Sequence, residues 1–251
     1  MVTEKWKKCK VETPADRCGF RCPPPPSEWS GKERCVIIKY YANRKEKRET
    51  MSKTLTSTPF RQAEHNIDPI YLQRWSPRSF LEKDVPDEVL WSLFEAARWA
   101  PSAYNLQPWR FIVARTPEDR AKFHTFISEF NLTWCRKAPV LVLMISQRVS
   151  DRGDNLSHAF DTGAAWGFLA LEAVRQGLIT HPMTGFDMAK ARETLGIPDE
   201  YAIQALIAIG YQGPRDILPE PLREREQPSQ RRTLKTFVYE GMFGRRPAEQ
   251  K

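Results

Sequence analysis

Val140 to Ile145 is an unbroken run of six apolar residues, Val-Leu-Val-Leu-Met-Ile. A strand apolar at every position is buried on both faces, so its sheet needs cover on two sides. The surrounding chain supplies that cover. Val85-Pro86-Asp87-Glu88 opens a helix with proline and acids in its first turn. Val89, Leu90, Leu93, Phe94 and Ala97 then give it an apolar face at helical spacing, and it ends before Pro101. A turn-rich stretch, PSAYNLQPW, leads into a strand over Arg110 to Ala114, and Pro117 starts a helix expected to reach about Phe130. Beyond the apolar run, Arg148 to Leu156 reads as a polar connection. Ser157 caps a helix to about Gln176, which Gly177 stops. That helix is rich in small residues: Gly163, Ala164, Ala165, Gly167 and Ala170. A helix over Met188 to Leu195 and a strand over Ala202 to Ile209 follow. A short helix is expected at Asn66 to Arg74, and Leu234 to Tyr239 reads as extended. Strands separated by helical segments argue a layered α/β domain rather than a bundle or a β-sandwich.

The net charge of +8 suggests a nucleic-acid partner until it is divided along the chain. Residues 1–50 hold 13 Lys and Arg against 7 Asp and Glu; the other 201 residues hold 26 against 24. A nearly balanced body argues against a nucleic-acid binder, whose affinity comes mainly from phosphate contacts. Cysteine divides the same way. Cys9, Cys18, Cys22 and Cys35 fall in the first stretch, and Cys135 is alone beyond it. One cysteine gives no disulfide framework and fits a reducing, cytoplasmic compartment. The four early cysteines match zinc-site spacing only at Cys18 and Cys22. With Pro23-Pro24-Pro25-Pro26 among them, residues 1–50 read as a disordered or spurious extension. Met51 is the expected start of a working domain over 51–251, since Lys47-Arg48-Glu49 can be encoded entirely by purines, as a ribosome-binding site would be. No apolar run reaches the ~18 residues of a membrane span.

Familiar catalytic signatures are missing. The sequence has no G-x-G-x-x-G, no Walker loop, no G-x-S-x-G elbow and no H-E-x-x-H. His158 and Asp161 stand three apart on a helix, but two such groups make no metal site, and Cys135 reads as an inert buried thiol. Three clusters remain. Arg74, Ser76 and Arg78 alternate, so in extended chain they face one side and suit a phosphate or an electron-rich carbonyl. Pro101, Asn105 and Pro108 fix a loop whose amides are free, and Arg231-Arg232 lies near the C-terminus. Each alone could be a surface turn, a helix stop or a solvated pair.

In order and spacing the clusters resemble the FMN-dependent nitroreductase family. The likeness is carried by RWSPRSF at 74–80, APSAYNLQPWRFIVA at 100–114, FDTGAAW at 160–166, GLITHPMTGFD at 177–187 and QRRTL at 230–234. It implies an α+β fold: a three-layer α/β/α sandwich with a mixed, mainly antiparallel sheet. It also implies a homodimer built on the small-residue helix, with a domain-swapped C-terminal arm for which Thr233 to Tyr239 is the candidate. FMN would sit at the dimer interface, with NADPH or NADH as hydride donor. Carried over by residue, Arg74, Ser76 and Arg78 would bind phosphate, ribityl and the pyrimidine edge, and Trp75 would contribute main chain. Pro101, Ser102 and Asn105 would come from the partner, supported by Gln107. Asn131 would reach the flavin edge. Pro182, Met183, Thr184 and Gly185 would line one face near N5, and Arg231 and Arg232 would hold the phosphate. Arg78 is the expected electrostatic partner of reduced flavin. Well-studied members often carry Glu where Thr184 aligns, which leaves the donor preference open.

The implied reaction passes hydride from NAD(P)H through flavin N5 to a small electron-poor acceptor, a nitroaromatic, quinone or enone, by a ping-pong course. Alternatives on the same fold are a dehalogenase, a flavin destructase or an azoline dehydrogenase. The Arg148 to Leu156 connection is short for the lid such reactions use. A non-catalytic flavin-binding protein is a further alternative.

Overall fold

The computed structural model describes residues 61–247. The readings of residues 1–50, of their cysteines and of Met51 as a start lie outside the described residues. Within them the helices are α1 (Ile70–Gln73), α2 (Asp87–Arg98), α3 (Pro117–His124), α4 (Glu129–Cys135), α5 (His158–Arg175), α6 (Met188–Leu195) and α7 (Glu220–Arg223). The strands are β1 (Trp109–Ala114), β2 (Val140–Gln147), β3 (Val149–Ser150), β4 (Gly153–Asp154), β5 (Ile179–Met183) and β6 (Tyr201–Gly210). One sheet has the order β1-β2-β6-β5; β3 and β4 form a small hairpin in the connection after β2. Every pairing in the described sheet is antiparallel.

The apolar run makes β2 an interior strand, and its two faces fill two separate cores. Leu141, Leu143 and Ile145 pack with Phe80, Phe123, Trp134 and Ala191 on one side. Val140, Val142 and Met144 pack on the other with Leu90, Leu93 and Ala97 of α2 and with Ala165, Leu169 and Ala173 of α5. The three-layer α/β/α arrangement follows from this alternation. A bulge shifts the register so that Met144 faces Ala205 and Ile145 faces Ile203. The extra residue, Gln204, donates to Ser146 Oγ at 2.7 Å, and the same hydroxyl meets His158 Nδ1 at 2.7 Å. His158 is thereby tied to the sheet. The bulge also turns Ile203 to the Leu206 face and leaves Ala205 on the other.

Several elements differ from the expected ones. The helix from Pro117 is two helices, because Ser128 accepts from Asn131 N and starts a new one while Ile127 bridges to Phe186. The helix expected at Asn66 to Arg74 is the single turn α1, since Pro69 precedes it and Asp68 Oδ1 accepts from Ile70 N at 2.9 Å. Ser157 does stand before α5, but its hydroxyl donates to Asp161 Oδ2 at 2.8 Å instead of capping a helix amide. Leu234 to Tyr239 is not extended. A 3-10 turn occupies Leu234–Thr236, held by Thr236 Oγ1 donating to Thr233 O at 2.8 Å and by Leu234 N donating to Glu64 Oε1 at 3.1 Å. No described helix is long and apolar enough to cross a membrane.

Candidate functional site

The chain leaves α1 in extended conformation at Arg74. Alternation then works as expected: Arg74 Nη1 lies 3.5 Å from Ser76 Oγ. Two residues on, the backbone is anchored from a distance. Arg78 N and Ser79 N both donate to Glu226 Oε1, at 2.8 and 2.9 Å, and Glu226 is buried. Its other oxygen, Oε2, is also buried and has no partner among the described residues. The Arg78 guanidinium lies 6.0 Å from the centre of the Trp134 ring and forms no ion pair among the described residues.

Arg231 meets this segment through a residue that no motif singles out. Buried Arg61 donates from Nε to Ser229 O at 2.8 Å, and from Nη1 to Leu72 O at 3.0 Å and Arg74 O at 2.7 Å. Arg231 Nη1 donates to Ser229 Oγ at 2.9 Å. Three guanidiniums are thus gathered, and none has a carboxylate partner among the described residues. Burial first, then Arg231, holds the Arg74 pKa below the ordinary arginine range; burial, Arg231 and Arg74 do the same to Arg61. Arginine stays protonated regardless, so the depression reflects burial first and the neighbouring positive charges second. Such a cluster suits a dianion with several acceptor oxygens, and phosphate fits it. Arg232 is exposed beside it, and Trp75 is half-buried within the first segment.

A second part of the site joins from β5. His181 Nδ1 donates to Pro77 O at 3.0 Å, and its ring lies 4.4 Å from that of Trp134. Trp134 Nε1 donates to Asn131 Oδ1 at 3.2 Å, and Asn131 Nδ2 donates to Gly185 O at 3.0 Å. Arg74 to Arg78, Asn131 and Pro182 to Gly185 therefore form one continuous region. Pro182 and Met183 belong to β5, and Thr184 and Gly185 form the turn after it. A Cβ at Gly185 would fall 2.4 Å from Asn131 Nδ2, so the close approach of that amide requires glycine.

His181 is 8% exposed. Burial, aided by Arg78 and Arg74 and opposed by backbone groups of Pro77 and Ser76, pushes its pKa down to about 4. The unfolded chain protonates this ring near its ordinary value of about 6.5. The contribution of neutral His181 is therefore complete above about pH 6.5 and is lost as pH falls toward about 4, by at most ~1.4 kcal/mol per pH unit. Thermal denaturation across that window should show the slope, and His181→Gln should flatten it. Cys135 is fully buried, and burial raises its thiol to about 12, as expected of an inert thiol.

The Pro101 loop stands apart. Gln107 N donates to Ser102 Oγ at 3.1 Å, Gln107 Nε2 donates to Asn105 O at 3.0 Å, and Ala103 N donates to Asp161 Oδ2 at 3.1 Å near the start of α5. Tyr104, Asn105 and Gln107 all have positive φ, at 51, 56 and 47°. Three left-handed residues without glycine are strained, and such strain persists where the surroundings hold it. Among the described residues no hydrogen bond or ion pair links this loop to the arginine cluster. A single chain brings together the first, fourth and fifth sequence motifs, while the second meets the third through Ala103 and Asp161 and stays outside that contact network.

Arg61, Glu226, Trp134 and His181 are the members that sequence reasoning missed. Arg61, Glu226 and Trp134 lie outside every quoted motif and carry no local signal, whereas His181 lies inside GLITHPMTGFD but has no role assigned there.

Known proteins resemble this chain in sequence and in fold. A family model described as the nitroreductase family matches residues 71–133 and 126–211. A protein named NADH dehydrogenase from Thermus thermophilus is 30% identical over 173 residues, covering 56% of this chain and 83% of its own length. A putative NADH dehydrogenase/NAD(P)H nitroreductase from Stenotrophomonas maltophilia is 27% identical over 175 residues, covering 61% and 88%. Among solved structures, an FMN-containing oxidoreductase is 41% identical with a TM-score of 0.71, covering 74% of this chain and 97% of its own.

Proposed function

Because this chain belongs to the nitroreductase family, we propose that it is an FMN-dependent oxidoreductase. It takes hydride from NADH or NADPH and delivers it to an electron-poor acceptor, such as a nitroaromatic, quinone or activated enone, in two successive half-reactions. The observation that carries this reading is the gathering of Arg61, Arg74 and Arg231 without carboxylate partners among the described residues. It supports a phosphate-bearing cofactor, and FMN is the one present in the 41% identical structure.

When bound, FMN supplies reversible hydride transfer; the protein supplies position and electrostatics. Arg74, Ser76 and Arg231 hold the phosphate, and Arg232 stands beside them. Glu226 fixes the Arg78 backbone, and the Arg78 guanidinium would supply a positive charge at the pyrimidine edge. Such a charge favours the anionic reduced cofactor. Thr184 and Gly185 offer main chain to the redox edge, and Asn131 braces that turn from behind.

The site is completed by a second copy. On α5, Phe160 is 82% exposed, and a Cβ at Gly163 or Gly167 would meet nothing within 4 Å. Nothing among the described residues requires glycine at either place, whereas close helix approach by a partner would. In that homodimer Pro101, Ser102, Asn105 and Gln107 reach the cofactor of the other chain, which accounts for their separation here. Phe237, Val238 and Phe243 are exposed apolar residues of the C-terminal arm and suit a partner's surface. A cytoplasmic location would supply the reduced nicotinamide that this reaction consumes.

The test is a visible spectrum of the chain purified from Met51, followed by NADH or NADPH without oxygen. Flavin bands bleached by either donor are expected. Bands that neither donor bleaches would identify a flavin-binding protein without turnover.

A further inference from the structure

We infer that Arg61 is a positioning residue of the phosphate pocket: it clamps the stretch bearing Arg74 to the stretch bearing Arg231 and thereby sets a preference for phosphorylated flavin over riboflavin. The inference rests on the flavin reading above and adds a residue outside the part of the chain that the family model matches, which begins at residue 71.

Every hydrogen bond that Arg61 makes among the described residues ends on a main-chain carbonyl. Leu72 O and Arg74 O bracket the first segment, and Ser229 O lies two residues before Arg231. Three residues further along from Arg61, Glu64 accepts from Leu234 N at 3.1 Å. The stretch 61–64 therefore grips the C-terminal loop on both sides of Arg231-Arg232. The planar guanidinium reaches acceptors on separate segments from one rigid fork, which a lysine cannot reproduce.

Charge shows what the clamp is for. A neutral amide could bridge carbonyls without adding a third positive charge beside half-buried Arg74 and exposed Arg231. Like charges gathered partly out of water repel unless an anion joins them. A guanidinium at this point makes physical sense where a dianion offsets the repulsion. The phosphate would then lie between two stretches whose spacing Arg61 fixes.

The experiment measures dissociation constants of flavin-free wild type, Arg61→Ala and Arg61→Gln for FMN and for riboflavin by flavin fluorescence. Denaturation midpoints are taken with and without inorganic phosphate. Loss of a charge-assisted clamp should weaken FMN by about 30-fold or more. Riboflavin affinity should stay within about threefold, and phosphate should stabilise wild type more than either variant. If Arg61→Ala and Arg61→Gln do not fold, Arg61→Lys should fold and still lose most of the preference. Folded variants with an unchanged FMN-to-riboflavin ratio would overturn the inference, as would equal loss of both ligands. A wild type that binds neither flavin would defeat the flavin reading alone. The phosphate shift then decides for Arg61: its loss in the variants supports the clamp, and its persistence overturns it.

Discussion

Arg74→Ala should fold normally and lose FMN, with affinity lower by about 2–3 kcal/mol, or roughly 30- to 150-fold. The two halves of this result have opposite signs, and that makes it diagnostic. In the flavin-free protein the Arg74 guanidinium is half-buried beside Arg231 and Arg61 and has no carboxylate partner among the described residues. Removing it relieves like-charge repulsion, so the denaturation midpoint without ligand should hold or rise. With FMN the same charge supplies charge-assisted hydrogen bonds to phosphate, and its loss is felt in full. A purely structural arginine would behave differently: its removal would lower the midpoint and leave flavin affinity in proportion. Flavin titration and thermal denaturation of one preparation separate the two cases.

Gly167→Leu should convert the proposed dimer to monomer and empty the site together. Within a single chain this substitution ought to help. A Cβ there meets nothing within 4 Å, and glycine inside a helix costs about 1 kcal/mol relative to good helix formers. An isolated subunit would therefore gain stability. Only close approach by another chain turns the sign, because a leucine side chain would hold the facing backbone away. Sedimentation velocity should show the loss of dimer. Absorbance should show loss of flavin in the same sample, since the Pro101 loop would then be missing from each site. A Gly167→Leu protein that stays dimeric and yellow would remove α5 from the interface.

Much of this architecture was legible in the sequence, for reasons that can be named. Val140 to Ile145 could only be a strand covered on both sides, and β2 is that strand. Proline and acids at 86–88 marked the start of α2, and Gly177, with φ of 72°, ended α5. RWSPRSF placed Arg74 and Ser76 on one side because alternation in extended chain is a local property. What stayed hidden depends on partners distant in sequence. β5 is a five-residue edge strand containing Pro182, and proline argues against a strand until the sheet edge is known. The break at Thr125 to Ser128 needs the bridge from Ile127 to Phe186, and the bulge at Gln204 needs β2. Glu226 binds residues 148 and 147 positions away, and Arg61 binds one 168 positions away. No window of sequence contains both ends of such a contact. The 3-10 turn at Leu234–Thr236 was missed for the same reason, because Glu64 holds its first amide.

The central claim is that arginines from three stretches of the chain form one phosphate pocket, closed by a loop of a second copy. Native mass spectrometry of the purified protein weighs both parts of the claim at once. The account predicts a dimer carrying two FMN molecules, with each Arg74→Ala dimer lighter by both. A monomer, or a dimer that takes up no FMN when it is supplied in excess, would contradict it.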